Sequence, residues 1–336
     1  METTESNEPI FLPITYEQAK KKVSEMNLID GFLFDSALED EEDAKLVMKT
    51  ILETTFNREF ADIKVTPQKN FQAVDTQFHG IRLDARIDEV SNEKATATIF
   101  DCEMENRPAD KKCLPKRMRY YGSLDDNRLL KSGTSYDSLP DYVTIVISSY
   151  DPFDAGDIYY QAETILKTHP TIKYNDGLLH IFLYCNGKIN DGMDPIYGKK
   201  LQEMLKYILS GEKSSSPSIG ITNLESIVSK IKTRSEVTKR YMRQWDRERI
   251  REQEIREAVT KEVTESVTKS VTESVTASVT ASTRNNDALE LINFGRNHEI
   301  PDQDIRERLE SGLKLDTDTI NSLFAQANNE LISTEK

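Results

Sequence analysis

Two short apolar runs, YVTIVISSY (142–150) and LLHIFLY (178–184), constrain the fold of this chain more than any other segment. Both are rich in β-branched or aromatic residues and bounded by Asp, Pro and Gly, the signature of buried strands. Upstream, two helical patterns occupy Tyr16 to about Leu52; in the second, Phe34, Leu38, Ala44, Val47, Met48 and Ile51 recur near a 3.6 period. Between Phe71 and Met104 the period drops to two, which predicts strands. Leu114 to Lys131 turns helical again with Gly133 as a stop, and a further helix is predicted near Tyr159 to Lys167. The predicted order is helix, three strands, helix, strand, helix, strand, helix: an α/β unit over residues 14–210 behind an acidic, flexible N-terminus (1–13).

The 336 residues leave room for about two domains at roughly 150 residues each. GEKSSSPSIG is rich in Ser, Gly and Pro, and the linker is placed at 211–222. Residues 223–285 form a charged amphipathic helix followed by a four-residue repeat, in which Val259, Val263, Val267, Val271, Val275 and Val279 are each followed by Thr. Residues four apart on a helix sit 40° out of register, so this valine stripe winds around the rod. An extended helix or weak coiled coil is the preferred reading; a tether of variable length is the other. Residues 286–336 form a small helical module, broken at Pro301 and Gly312, with five bases against eleven acids. That balance suits a protein contact, including a homo-oligomer through the C-terminal helical region, better than a DNA reader. Truncation at about Gly220 is therefore expected to leave an intact core.

Composition excludes several function classes. No run approaches the ~18 apolar residues of a membrane span, and METTESNEPI carries no signal-peptide pattern, so no membrane partner is expected and the chain reads as cytoplasmic. Cys102, Cys113 and Cys185 contain no CxxC, against a disulfide framework or a Cys-based zinc site. The four histidines share no ligand spacing, and no glycine-rich phosphate loop or GxSxG supports an ATPase or serine hydrolase. A net charge of −14 leaves nucleic-acid binding to a local basic patch.

HGIRLDARIDEVSNEKATATIFDCEMEN (79–106) carries the chemistry. Along its first strand Arg82, Asp84, Arg86 and Asp88 share a face; along the second, Ala95, Ala97, Ile99, Asp101, Glu103 and Glu105 do. With SNEK (91–94) as the turn, centred between Asn92 and Glu93, Asp84 is predicted opposite Asp101 and diagonal to Glu103. Acids this close raise one another's pKa unless a cation holds them, and a hard divalent metal prefers such oxygens. From spacing alone the other reading stays open: a solvated strand end whose acids pair with Arg82 or Arg86.

RLDARID, then FDCEMEN, then LPKRMRYYGSLDDNRLLKSGTSYDSLPDYVTIVISSYDPFD, in this order, resembles the PD-(D/E)XK nuclease family transposases, also called recombination-promoting nucleases (Rpn). The likeness runs from about Asp30 to Leu209. It implies a restriction-endonuclease-like core, a central mixed sheet flanked by helices, with DNA endonuclease activity supported by Mg²⁺ (or Ca²⁺ or Mn²⁺). On the matching positions, Asp84 and Glu103 are the implied catalytic acids, and Asp84, Glu103 and the carbonyl of Met104 the implied metal ligands. The third motif position, Lys in the wider fold class and usually Gln in the family, is Glu105 here; it is expected to position or deprotonate the attacking water. Lys116 or Arg117 is a substitute for the missing positive charge, and returning Gln or Lys to position 105 is expected to retain or raise activity.

Residues 107–131 hold eight bases and three acids directly after the acidic strand. Lys111, Lys112, Lys116, Arg117 and Arg119 are the candidate DNA-binding residues; the other reading is an ordinary solvated helix face. Tyr120 and Tyr121 read as core. Two functions remain in play: a metal-dependent DNA endonuclease, or a catalytically decayed relative that binds DNA or protein.

Overall fold

The computed structural model describes residues 12–71, 81–89 and 98–334. Helices α1 (Tyr16–Glu25), α2 (Gly31–Ala37) and α3 (Glu41–Phe56) come first, so the predicted pair of helices is three. Asp40 makes the extra break: its carboxylate accepts from the Asp43 N–H at 3.0 Å and caps α3, while Phe34 and Ala37 stay with α2. Strands β1 (Ile63–Phe71), β2 (Ile81–Glu89) and β3 (Thr98–Glu105) follow, β1 beginning eight residues earlier than the sequence pattern indicates. Then come α4 (Leu114–Leu129), β4 (Asp141–Ser148), β5 (Tyr159–Glu163), β6 (Leu178–Tyr184) and α5 (Pro195–Ser210). The strand order is β1-β2-β3-β4-β6-β5; β1, β2 and β3 run antiparallel, β3, β4 and β6 parallel, and β5 antiparallel at the edge. The protein is thus α/β, with a six-stranded mixed sheet flanked by helices and a helical C-terminal region.

The helix predicted near Tyr159 to Lys167 is strand β5. Its residues pair with β6 from Tyr159↔Leu183 to Glu163↔Leu179, and most are exposed. The ladder open along β6 outweighs the weak helical spacing of so short a segment.

One sheet face is apolar. Ala85, Ile87, Phe100, Cys102, Val143, Ile145, Ile147, Ile181 and Leu183 join the buried residues of α1, α2, α3 and α5 in the main core. The other face lies under α4, where Leu114, Met118, Val146 and Phe182 form a buried apolar cluster.

Two compact units divide the chain, residues 1–248 and 249–336. The division does not fall in the serine-rich segment. Helix α6 (Ile219–Thr233) starts inside the predicted linker and packs on α1, α2 and α3, with Ile221, Leu224, Ile227 and Ile231 buried in the main core. Gly220 is part of this contact: a Cβ there would come within 2.8 Å of Thr50 Cγ2, so only glycine lets α6 approach α3 so closely. The start of α7 (Ser235–Asn297) is bolted to the same unit through Val237, the Arg240 pairs with Glu39 and Ser36, and Trp245, whose Nε1–H donates to Leu12 O at 2.8 Å.

The valine repeat is helical within α7, and its six valines are each more than half exposed. Thr264 and Thr272 return their hydroxyls to the carbonyls of Thr260 and Thr268 at 2.7 Å, which satisfies them inside the helix. In the second unit the end of α7, α8 (Asp302–Leu313) and α9 (Thr317–Thr334) close a small core of Ala288, Ile292, Ile305, Leu309, Ile320, Leu323, Phe324 and Ala327. Among the described residues no helix is long and apolar enough to cross a membrane.

Truncation at Gly220 therefore removes core rather than tether. Four buried isoleucine or leucine side chains, at roughly 1.5–3 kcal/mol each, rival the whole stability of a domain. A fragment ending at Glu248 is expected to melt cooperatively by circular dichroism, and one ending at Gly220 to lose its cooperative transition.

Candidate active site

Alternation along β2 and β3 puts Asp84, Arg86, Asp88, Asp101, Glu103 and Glu105 on the face under α4. The register pairs Ala85 with Cys102 and Arg86 with Asp101, which sets Asp84 opposite Glu103. The predicted pairing of Asp84 with Asp101 is corrected by two residues on β3. The face is unchanged, because a two-residue slip preserves alternation. The turn SNEK and the side chain of Arg82 lie outside the described residues.

Asp84 and Glu103 interlock across the strands: the Asp84 N–H donates to Glu103 Oε1 at 3.1 Å, and the Met104 N–H donates to Asp84 Oδ2 at 3.1 Å. These bonds hold both carboxylates against the backbone and bring Met104 into the same cluster. Asp101, fully buried beside them, accepts from the Tyr142 hydroxyl at 3.3 Å through Oδ2, while its Oδ1 has no partner among the described residues. Gly122 of α4 lies against that tyrosine: a Cβ there would sit in ordinary contact with the ring at 3.4 Å.

Burial first, and then the Asp84 carboxylate, push the Asp101 carboxyl up to about 8. Burial and the charges of Asp101 and Asp84 likewise lift Glu103 well above the usual carboxylate range. Asp101 therefore retains its proton at neutral pH.

Helix α4 answers the polar face at four-residue intervals. Arg117 donates through Nη2 to Glu105 Oε2, and Asp125, two turns on, accepts from Arg86 Nη1; Arg86 Nη2 also reaches Asp88 at 3.1 Å. Tyr121 lies between them on the same stripe. Arg86 and Asp125 are both almost wholly buried. Arg86 thus pairs with Asp88 and Asp125 rather than with Asp101, Glu103 or Glu105 of β3.

The structure brings Asp84, Glu103 and Met104 together and sets Glu105 one step along the row. Both Glu105 oxygens are engaged: Oε2 pairs with Arg117, and Oε1 accepts from the Arg107 N–H at 3.0 Å. The basic candidates separate. Arg117 is half-buried in the Glu105 pair, Lys111 pairs with Asp154, and Lys112, Lys116 and Arg119 are exposed. Sequence reasoning missed Tyr142 and Asp125; the spacing of Arg117, Tyr121 and Asp125 was the available signal for α4.

Among the described residues no three His, Cys, Asp or Glu side chains gather closely enough to enclose a metal ion. An open site needs fewer: Mg²⁺ is usually held by one or two carboxylates, with substrate phosphates and water completing its shell. The hard oxygens of Asp84 and Glu103, beside the unpartnered Asp101 Oδ1, fit that donor set.

A carboxyl whose folded-state pKa is raised stabilises the fold below its ordinary value, and that contribution is lost as pH rises through the folded value. For Asp101 the window runs from about pH 4 to about pH 8. In metal-free protein, Asp101→Asn should flatten the decline of Tm across this window, as read by thermal melts. Asp125→Ala leaves the buried Arg86 with Asp88 as a remaining partner and should cost about 3 kcal/mol in urea unfolding, the lower end for breaking a buried pair.

No protein-family model matches the chain, and neither does any curated protein or solved structure.

Proposed function

We propose that this protein is a metal-dependent DNA endonuclease with a restriction-endonuclease-like core, of the recombination-promoting nuclease type that its motifs resemble. One observation carries the reading: Asp84 and Glu103, the two implied catalytic acids, are interlocked directly across β2 and β3 by hydrogen bonds to each other's strand. The order of helix, three antiparallel strands, α4 and a parallel strand is in keeping with the core the resemblance implies.

Asp84, Glu103 and the Met104 carbonyl would hold Mg²⁺. A divalent cation there supplies Lewis-acid polarisation of a phosphate oxygen and a bound water of lowered pKa. The chain's own residues do the rest. Arg117 restores a positive charge beside the third motif position, where Glu105 supplies none, and the Glu105 carboxylate fixes the guanidinium at the end of the acid row. Lys112, in the turn before α4, and Lys116 and Arg119, in its N-terminal half, are exposed and can neutralise neighbouring backbone phosphates. The surrounding apolar core keeps the β2–β3 pair rigid.

A second reading, a catalytically decayed member that binds DNA or protein, draws on the same Glu105–Arg117 pair, in which each charge occupies the other.

Nicking of supercoiled plasmid with Mg²⁺, Mn²⁺ or EDTA separates the two. Metal-dependent nicking is expected, abolished by Asp84→Ala and by Glu103→Ala; wild-type rates in both variants would remove the site assignment. Glu105→Gln keeps one acceptor oxygen, which can serve Arg117 while the Arg107 N–H loses its partner, and should retain activity. Glu105→Lys sets two cations against each other and should lose it, contrary to the expectation from the motif alone.

A further inference from the structure

The stripe that α4 lays over the polar sheet face has three members. Arg117 is committed to Glu105 and Asp125 to Arg86. Tyr121, four residues from each, is half-buried, and its ring packs with Leu114, Met118, Val146 and Phe182. Its hydroxyl has no hydrogen-bond partner among the described residues, and unlike the buried unpartnered atoms of this region it remains within reach of solvent. Helical spacing sets it between the Glu105 and Arg86 ends of the row, at the level of Glu103. Burial, then the Glu103 charge, pushes the phenol upward, with Arg117 opposing and Asp101 and Asp84 adding, so the hydroxyl stays a proton donor at any physiological pH.

A lone donor facing a cluster of acids suits a ligand that presents oxygen acceptors to that cluster. The acids themselves repel such a ligand until their charge is met, and that defines the order of contacts: carboxylates toward a cation, phenol toward an anionic oxygen. We propose that Tyr121 is a catalytic residue that donates its hydroxyl hydrogen to a non-bridging oxygen of the scissile phosphate. This rests on the hydrolase reading and adds to it a residue whose ring the sequence assigned to the core. The ring does serve the core; the hydroxyl serves the site. No bond to Tyr121 forms or breaks: the phenol keeps its proton and stabilises charge that grows on the phosphoryl oxygens as water attacks in line.

Tyr121→Phe tests this, because it keeps the ring in its apolar cluster and removes only the donor. In full-length protein at saturating duplex and Mg²⁺, the cleavage rate is expected to fall about 100-fold or more, the range for losing one donor to developing oxyanion charge. The second measurement needs no turnover. In the Glu103→Gln background, where duplex stays uncut, fluorescence anisotropy should show affinity falling about tenfold on adding Tyr121→Phe, the scale of one hydrogen bond to a charged group. A cleavage rate within twofold of wild type, or an unchanged affinity in the uncut background, overturns the proposal. If wild-type protein leaves duplex intact in every metal, the hydrolase reading falls by itself, and the affinity comparison still decides whether Tyr121 touches phosphate.

Discussion

A sheet face that carries Arg86, Asp88, Asp101, Glu103 and Glu105 cannot be buried against an ordinary amphipathic helix. Each charge removed from water costs several kcal/mol unless it meets a partner of opposite sign or keeps a proton. Helix α4 is built to that requirement. Arg117 and Asp125 meet the two ends of the row with opposite charges, and Tyr142 donates to its middle from the neighbouring strand. The apolar contact between α4 and the sheet includes Leu114, Met118, Val146 and Phe182. Charge matching adds to that contact and ties the axial position of the helix to where the charges fall on β2 and β3. Any chemistry at Asp84 and Glu103 inherits its geometry from that match.

Asp101 and Glu103 show what the match leaves over. Both ends of the row have a counter-charge, but these two carboxyls share only hydrogen bonds and each other's repulsion. A protein that needed merely to fold would do better with Asn or Ser at such positions. Local destabilisation that the rest of the fold over-determines is common where a site must take up a cation or proton.

Much of the architecture was legible in the chain. The two apolar runs became β4 and β6 within a residue or two of their expected bounds, and the alternation of HGIRLDARID and FDCEMEN placed the acids on the correct face. The failures have distinct causes. Register depended on a turn whose centre no residue pattern marks, so Asp84 was matched with Asp101 rather than Glu103. Strand β5 has no strong pattern of its own and owes its form to the open edge of β6. The serine-rich segment is a genuine surface loop, yet it joins two elements of one core, because composition reports exposure rather than domain membership. Tyr142 was invisible as a site residue, and Asp125 was marked only by its spacing from Arg117 and Tyr121, because each is a partner to a charge more than 35 residues away.

The packing of α6 and the start of α7 onto α1, α2 and α3 has a consequence for biogenesis. Lys232 Nζ donates to Ser24 O at 3.0 Å, Arg240 to Ser36, and Trp245 to Leu12 O, so the earliest helices are finished by segments made more than 200 residues later. Loops of that length close slowly, and their cost precedes any reward in contacts. While the sheet is being synthesised, the apolar side of α1, α2 and α3 destined for Ile221, Leu224, Ile227 and Ile231 has nothing to cover it. The nascent chain thus emerges with a sticky surface that only its own distant helix can seal, which makes the interval between synthesis of β6 and of α6 the period when chaperones matter most.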